Sequence, residues 1–454
     1  MVSRARALVA PAYLFACLIL GGSAQGIWQN TLLQLLGVAI IAWAALDKSE
    51  QRLPVAAVQL LLITIAAIAV VGLQMIPLPA SIWTHLGPRA AVASGFQALG
   101  IPVPSEPLSL TPAAGLNALL GIIPPLAIVT SMVSLRAYRP HWLALALVAG
   151  TFAGIALGAL QVASSATGLS SWYLYSETNE GRAVGFFANA DHMATLLVVT
   201  IPFLAAIVAS GKSANMQRYS ATVAVVAGIA IVVVVGLGLN GSLAGYGLAL
   251  PVIAASALIL LPPKSPLRLW IVGLAVLLVL GCVAALETTS IGSGKLGEHA
   301  SSATHSRTEI LATTSRAIRD FMPLGSGLGS FPRVYPLYEP AAQVTSEYVV
   351  HAHNDYAEVA LELGLAGIVI MLLFLAWWAG AVWRTWRSAQ TGPFARAAAI
   401  ASAAVLVHSI VDFPLRTAAI SACLGMCLAL LADSRAAPPK EDTQLRRGRH
   451  VEFK

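Results

Sequence analysis

Runs of about twenty apolar residues, such as VAAVQLLLITIAAIAVVGL (55–73) and SATVAVVAGIAIVVVVGLGL (220–239), recur along the chain. An α-helix of that length crosses the ~30 Å of hydrocarbon in a bilayer. In lipid every backbone N–H and C=O must be satisfied within the segment, which leaves helices as the admissible form for runs this long. Only 10% of the 454 residues are charged and 57% are hydrophobic, so no stretch has the composition of a sizeable soluble domain. The reading is an all-α polytopic integral membrane protein in contact with membrane lipids.

About twelve spans are expected, near 7–22, 26–46, 53–73, 113–135, 141–163, 186–210, 219–239, 243–261, 269–287, 356–380, 397–412 and 417–432. They group into spans one to five (1–180), spans six to nine (181–287), a long loop (288–355), spans ten to twelve (356–432) and a polar tail (433–454) expected to be disordered. The opening MVSRARALVAPAYLFACLIL, followed by GGSAQG, has the small residues a signal peptide shows before a cut after Ala24, and is read as a retained first span. An even number of spans puts both chain ends on one side. Most of the 27 Lys and Arg fall there, Arg52, Lys264, Arg268, Arg384, Arg387 and Arg396 among them, and by the positive-inside rule that side is cytoplasmic. The net charge of +7 therefore reports topology and not nucleic-acid binding. Cys17, Cys282, Cys423 and Cys427 all lie in apolar runs, which excludes a disulfide framework in the loops.

The opposite, external face holds Arg89, Arg182, Lys295, Arg307, Arg316, Arg319, Arg333 and Arg416. All but Lys295 are arginine, whose planar fork suits bidentate phosphate contacts. The long loop contains GSGK, which lacks the spacing and the following Ser or Thr of a P-loop. A capping box, Ser306-x-x-Glu309, then opens a helix to about Phe321 with Ile310, Leu311, Thr314, Ile318 and Phe321 as its apolar stripe, lying on the membrane-domain surface. Arg307 occupies its first position, where the helix dipole disfavours a cation, so a loop glutamate or an anionic ligand should compensate. Arg316 and Arg319 read as a solvated face, and PLGSGLGSF (323–331) as either a structural turn or a phosphate cradle.

Three further segments set polar groups at the edges of spans. GRAVGFFANADHMA (181–194) carries Arg182, Asn189, Asp191 and His192; helix capping accounts for Asn189 or Asp191 but not for His192 inside the first turn. VHSIVDFPLR (407–416) places His408 and Asp412 one turn apart, as a structural hydrogen bond or a functional pair, with Arg416 before the next helix. In VVHAHNDYAEVALELG (349–364), Asn354 or Asp355 caps the tenth span, and His351 and His353 lie just outside the cap. Histidine's ordinary pKa near neutrality suits it to proton transfer. Asp355, Glu358 and Glu362 share one helix face. Glu362 sits ~10 Å down the helix at 1.5 Å per residue, beyond the reach of the dipole, so a buried partner such as an arginine is expected. Gly364 and Gly367 would let a helix pack closely beside it.

Taken in order, GRAVGFFANADHMA, SRTEILATTSRAIRDFMPLGSGLGSF, HAHNDYAEVALELGLAGI and HSIVDFPLR resemble the O-antigen ligase and O-antigen polymerase superfamily, over about 181–432. The resemblance implies a GT-C-like fold and a metal-independent, cofactor-free, inverting glycosyltransferase. Its donor would be a glycan on undecaprenyl pyrophosphate, its acceptor a hydroxyl of lipid A-core or of a growing polysaccharide, and its site the periplasmic face of a bacterial inner membrane. Carried over by position, Arg182 and Arg307 resemble pyrophosphate contacts, His353 the base, and Glu362 the residue that orients an arginine. Asn189, His192, His351, Asn354 and Arg416 join them in substrate binding. The chain departs from the family at Asn189-Ala190-Asp191-His192, where Asn-x-Asn-His is frequent, and at Ser242-Leu243, where a Ser-Arg pair is frequent. The chemistry of the residues agrees: no D-x-D for a metal-bound nucleotide sugar occurs, and a pyrophosphate leaving group needs cations for its developing charge. A small-anion transporter and a non-catalytic polysaccharide-export component are the rival readings; ligase, polymerase and protein O-glycosyltransferase differ only in acceptor.

Overall fold

The computed structural model describes residues 4–47, 52–166, 172–212, 215–262, 265–288, 307–341, 344 and 348–433. Ser306 of the expected capping box, most of the loop before it and the polar tail lie outside them. In chain order the helices are α1 (Val9–Leu20), α2 (Ile27–Leu46), α3 (Val55–Gln74), α4 (Ala80–Trp83), α5 (Arg89–Ala98), α6 (Pro112–Leu120), α7 (Ile123–Val133), α8 (Pro140–Ala166) and α9 (Ala190–Gly211). There follow α10 (Met216–Asn240), α11 (Leu243–Leu260), α12 (Leu267–Thr288), α13 (Arg307–Phe321), α14 (Phe331–Val334), α15 (Asp355–Arg387), α16 (Pro393–His408) and α17 (Ala418–Ala432). Among the described residues eight helices are long and apolar enough to cross a membrane: α2, α3, α6 with α7, α8, α9, α10, α11 and α15. The shorter apolar helices α1, α12, α16 and α17 stand where the remaining spans are expected.

Sequence explains the local departures. The fourth expected span is two helices, because Pro124 and Pro125 fit the first turn of α7 but cannot continue α6. Helix α9 is the central post, packed by α8, α10, α11 and α16, while α1, α2, α7 and α17 form a neighbouring group. Large apolar side chains of α2, α3 and α12, Trp28, Leu35, Leu62, Ile65, Leu269 and Trp270 among them, point outward. On a polytopic protein such side chains meet lipid, and the interior is packed by smaller residues such as Ala194, Ala206, Ala397, Ala401, Ala404 and Ala422.

The end of the bundle expected to face outward is more built than the sequence predicts. Residues 75–111 hold α4, α5 and a two-residue antiparallel pairing of β1 (Pro77–Leu78) with β2 (Glu106–Pro107). α13 runs as expected to Phe321 and packs on α15, but its buried stripe is Ile310, Thr313, Thr314, Ala317 and Phe321, with Leu311 exposed. Thr314, expected in the stripe, satisfies its hydroxyl on Ile310 O and so is buried without penalty.

Gly364 does not act as a smooth helix-packing residue. Its φ of 61° and ψ of −145° break α15 one residue after the buried Glu362–Leu363 pair. The break frees Leu361 O and Glu362 O, which accept from Ser326 N–H and Gly327 N–H at 2.9 and 2.8 Å, while Leu365 N–H donates to Pro323 O at 2.8 Å. The glycine-rich turn is thus docked backbone to backbone on α15. Arg89, 2% exposed, pins it from the far side by donating to Gly325 O at 2.7 Å and to Leu108 O, and Gln74 Nε2 donates to Leu324 O and Glu362 O. At Gly364 a Cβ would collide with Pro323 O and the Gly325 nitrogen. Left-handed backbone adds its own cost for any other residue, so Gly364→Ala is expected to destabilise the protein by about 2 kcal/mol or more. A lowered midpoint in thermal unfolding of the detergent-solubilised protein checks this; an unchanged midpoint contradicts the clamp.

Candidate active site

The polar groups of three distant segments converge where α15 begins. Asn354 is the N-cap: its Oδ1 accepts from Ala357 N–H at 2.9 Å and its amide donates to Ile410 O at 2.8 Å. Asp355 N–H donates to Ser409 O, Ser409 Oγ donates to Asp355 Oδ2 at 2.9 Å, and Tyr356 OH donates to Leu406 O at 2.7 Å. Four hydrogen bonds thereby fasten the first turn of α15 to the end of α16.

Arg416 is the buried partner expected for Glu362. It stands 2.9 Å from Glu358 Oε1, 3.5 Å from Glu362 Oε2 and 3.8 Å from Asp355 Oδ1, so one guanidinium serves the whole acidic face. Glu358 and Glu362 are 1% and 0% exposed, too deep for water to solvate them. Burial works against the charged guanidinium, but Glu358, then Glu362 and Asp355, raise the pKa of Arg416 above its ordinary value. Glu358 also takes His351 Nδ1 at 3.0 Å and Ala352 N–H at 3.1 Å; Glu362 takes Phe331 N–H at 3.3 Å. The N–H groups of Ser326, Gly327 and Phe331 in the glycine-rich turn thus face α15.

His353 adopts a left-handed backbone, φ 49°, a conformation a non-glycine residue holds only when its surroundings fix it. Its Nδ1 lies 3.2 Å from Asp412 Oδ1, and the ring is 31% exposed at the outer rim. Asp412 Oδ2 faces His192 Nε2 at 3.4 Å. Expectation paired Asp412 with His408. Instead the helix ends there, Val411 N–H and Asp412 N–H both donating to His408 O, and His408 Nδ1 bonds Thr195 Oγ1 at 2.7 Å. The Asp412 carboxylate thus meets the imidazoles of His353 and His192, while the ring of His408 bonds to Thr195. Phe413 is the floor they share, its ring centroid 4.3, 5.0 and 5.1 Å from those of His351, His353 and His192.

On α9 the cap is Asn189, whose Oδ1 accepts from Asp191 N–H. Asp191 then holds Ser242 Oγ at 2.6 Å and Arg307 Nη2 at 2.7 Å, so among the described residues the anion against Arg307 comes from α9. Arg307 remains 38% exposed. Arg182 is half-buried, and among the described residues its guanidinium has neither a hydrogen bond nor an ion pair. The geometry so joins His353, His351, His192, Asn354, Glu362 and Arg416 in one cluster and ties Asn189 to Arg307 through Asp191. Sequence reasoning passed over Ser409 and Phe413, whose only signal was their place in HSIVDFPLR, and Ser242, which it marked only as a departure. Among the described residues no group of three or more His, Cys, Asp or Glu is placed to hold a metal ion.

Residues 227–372 match the family model described as O-antigen ligase. That segment spans α13, the glycine-rich turn and the first half of α15, and it bears out the resemblance to the O-antigen ligase and polymerase superfamily. It supports a membrane glycosyltransferase-like ligase or polymerase. None of the curated proteins matches the chain.

Removing Arg416 leaves buried carboxylates unpaired, so Arg416→Ala is expected to cost about 3 kcal/mol of stability or more. Adding Glu358→Gln to it should restore part of the loss. Thermal unfolding in detergent of both variants checks the pairing; a double variant no more stable than Arg416→Ala contradicts it.

Proposed function

We propose that this protein transfers a glycan from undecaprenyl pyrophosphate to an acceptor hydroxyl at the periplasmic face of a bacterial inner membrane, within a GT-C-like bundle of about twelve spans. The observation that carries the proposal is the His353–Asp412 pair: an imidazole at the rim, held at Nδ1 by a buried carboxylate four residues before Arg416. With Nδ1 so engaged, Nε2 is the nitrogen left to take a proton, and Asp412 fixes the ring and stabilises the imidazolium that forms. The acceptor oxygen attacks the anomeric carbon, its proton passes to His353, and the bond from that carbon to the pyrophosphate oxygen breaks. Undecaprenyl pyrophosphate leaves with the electron pair, and direct displacement inverts the anomeric centre.

Developing charge on the leaving group is met by arginines, the role a divalent metal fills in other glycosyltransferases. Among the described residues the Arg182 guanidinium has no partner, Arg307 keeps an exposed edge beside Asp191, and Arg416 is 23% exposed over its carboxylates. His351 and His192 line the approach around Phe413, while Asn189, Asn354 and Glu362 act by holding helix starts and Arg416 in register. The acceptor, lipid A-core or a growing polysaccharide, would arrive from the periplasm at the same rim.

His353→Ala is expected to leave the protein folded and inserted, since no buried apolar area is lost, and to slow transfer by ~10²–10⁴-fold, the usual contribution of a general base. The assay uses membranes supplied with undecaprenyl-pyrophosphoryl glycan and acceptor, with chelator present. Full transfer by His353→Ala removes the base; loss of wild-type transfer in chelator removes the metal-free scheme.

A further inference from the structure

The proposed chemistry uses the outer end of the bundle and leaves a pair of cations at the other end unexplained. Between α11, α12, α15 and α16 lies a cavity of about 580 Å³, within the ~300–1,000 Å³ range of small-ligand sites. Its lining runs from Val407, next to His408, to Trp386 and Arg268, and is apolar except for Arg268. On α12 the lining residues Leu269, Val272, Val276 and Leu280 are exposed, so the cavity opens sideways, toward lipid.

Arg268 lines its inner end, and Arg396 stands beside the lining residue Trp386. Arg268 and Arg396 both lie over the Trp386 ring, their guanidinium carbons 5.5 and 5.7 Å from its centroid. Arg268 donates to the carbonyls of Leu258, Leu261 and Pro262, and Arg396 to Ser388 O. Among the described residues the buried Nε of Arg396 has no partner. Among the described residues neither arginine meets a carboxylate: Asp47 and Asp433, at the same end, bond Arg6 and Tyr138. Two like charges on one aromatic ring at the edge of an apolar cavity repel each other in a medium that screens poorly. An anion between them reverses the sign of that interaction, and basic pockets between spans on the cytoplasmic side are where lipid phosphates dock.

We propose that this groove holds one anionic phospholipid of the cytoplasmic leaflet, its phosphate between Arg268 and Arg396 and an acyl chain along α11, α12 and α16. The assignment rests on the orientation that places these arginines at the cytoplasmic end, and is independent of glycan transfer. A phosphodiester supplies the anion and the apolar chain together, matching both halves of the groove. A polyprenyl donor fits less well. Its pyrophosphate belongs at the outer end, and a chain entering from there would leave the arginine pair without a counter-charge.

The experiment is native mass spectrometry of the full-length protein equilibrated with equal amounts of phosphatidylglycerol and phosphatidylcholine. Wild type is expected to retain one phosphatidylglycerol with at least a tenfold preference. R268Q/R396Q should lose that preference, R268K/R396K should keep most of it, and Ala275→Trp, which fills the cavity and leaves both arginines in place, should expel the lipid. The Ala275→Trp arm decides the matter if the glutamine variant does not fold. Equal retention of the two lipids by wild type, or undiminished phosphatidylglycerol on Ala275→Trp, overturns the proposal. So does displacement of phosphatidylglycerol by undecaprenyl phosphate, or binding that appears only once residues 434–454 are removed, since either names a different occupant.

Discussion

A carboxylate buried in an apolar bundle must be paired or neutralised, and the outer end of this protein is organised by that requirement. Glu358 and Glu362 are inaccessible to solvent on the first turns of α15, and one guanidinium, Arg416, stands against both and against Asp355. Because Arg416 belongs to the connection between α16 and α17, satisfying these charges fixes that connection against α15. The same fixation sets Asp412 and Phe413, four and three residues earlier, under His353, His351 and His192. Charge pairing in the interior is thus what gives the rim its geometry.

A second constraint acts from the outside. Gly364 interrupts α15 at the depth of Glu362, and the exposed carbonyls of the break are satisfied by the turn at 323–331. Arg89 and Gln74 hold that turn from the segment between α3 and α6. The acidic face is therefore enclosed by chain from three regions far apart in sequence, which keeps water from the carboxylates and leaves Arg416 its exposed edge. Strain at His353 and the break at Gly364, both in left-handed backbone, lie within one short stretch of chain, as expected where position matters more than local stability.

Features governed by local rules were legible beforehand. Asn354 and Asn189 cap their helices as their residue type predicts, α13 ends at Phe321, and the depth of Glu362 alone called for an arginine. What escaped was set by tertiary contact. Asp412 sits at helical spacing from His408, but its carboxylate contacts His353 and His192 while the His408 ring bonds Thr195. Arg307 finds Asp191 116 positions away, and Arg89 finds Gly325 236 positions away, distances at which spacing carries no information. Gly364 read as a surface for helix packing because composition does not distinguish a glycine that permits close approach from one that reverses φ.

In the proposed chemistry Asp412 acts through His353 and not as an independent charge. Transfer rates of wild type, His353→Ala, Asp412→Asn and the double variant, measured with undecaprenyl-pyrophosphoryl glycan and compared as a double-mutant cycle, test this directly. The two residues are predicted to be coupled by about 1 kcal/mol or more, with the double variant no slower than His353→Ala. Losses that multiply, the double variant falling by the product of the two single effects, would contradict it.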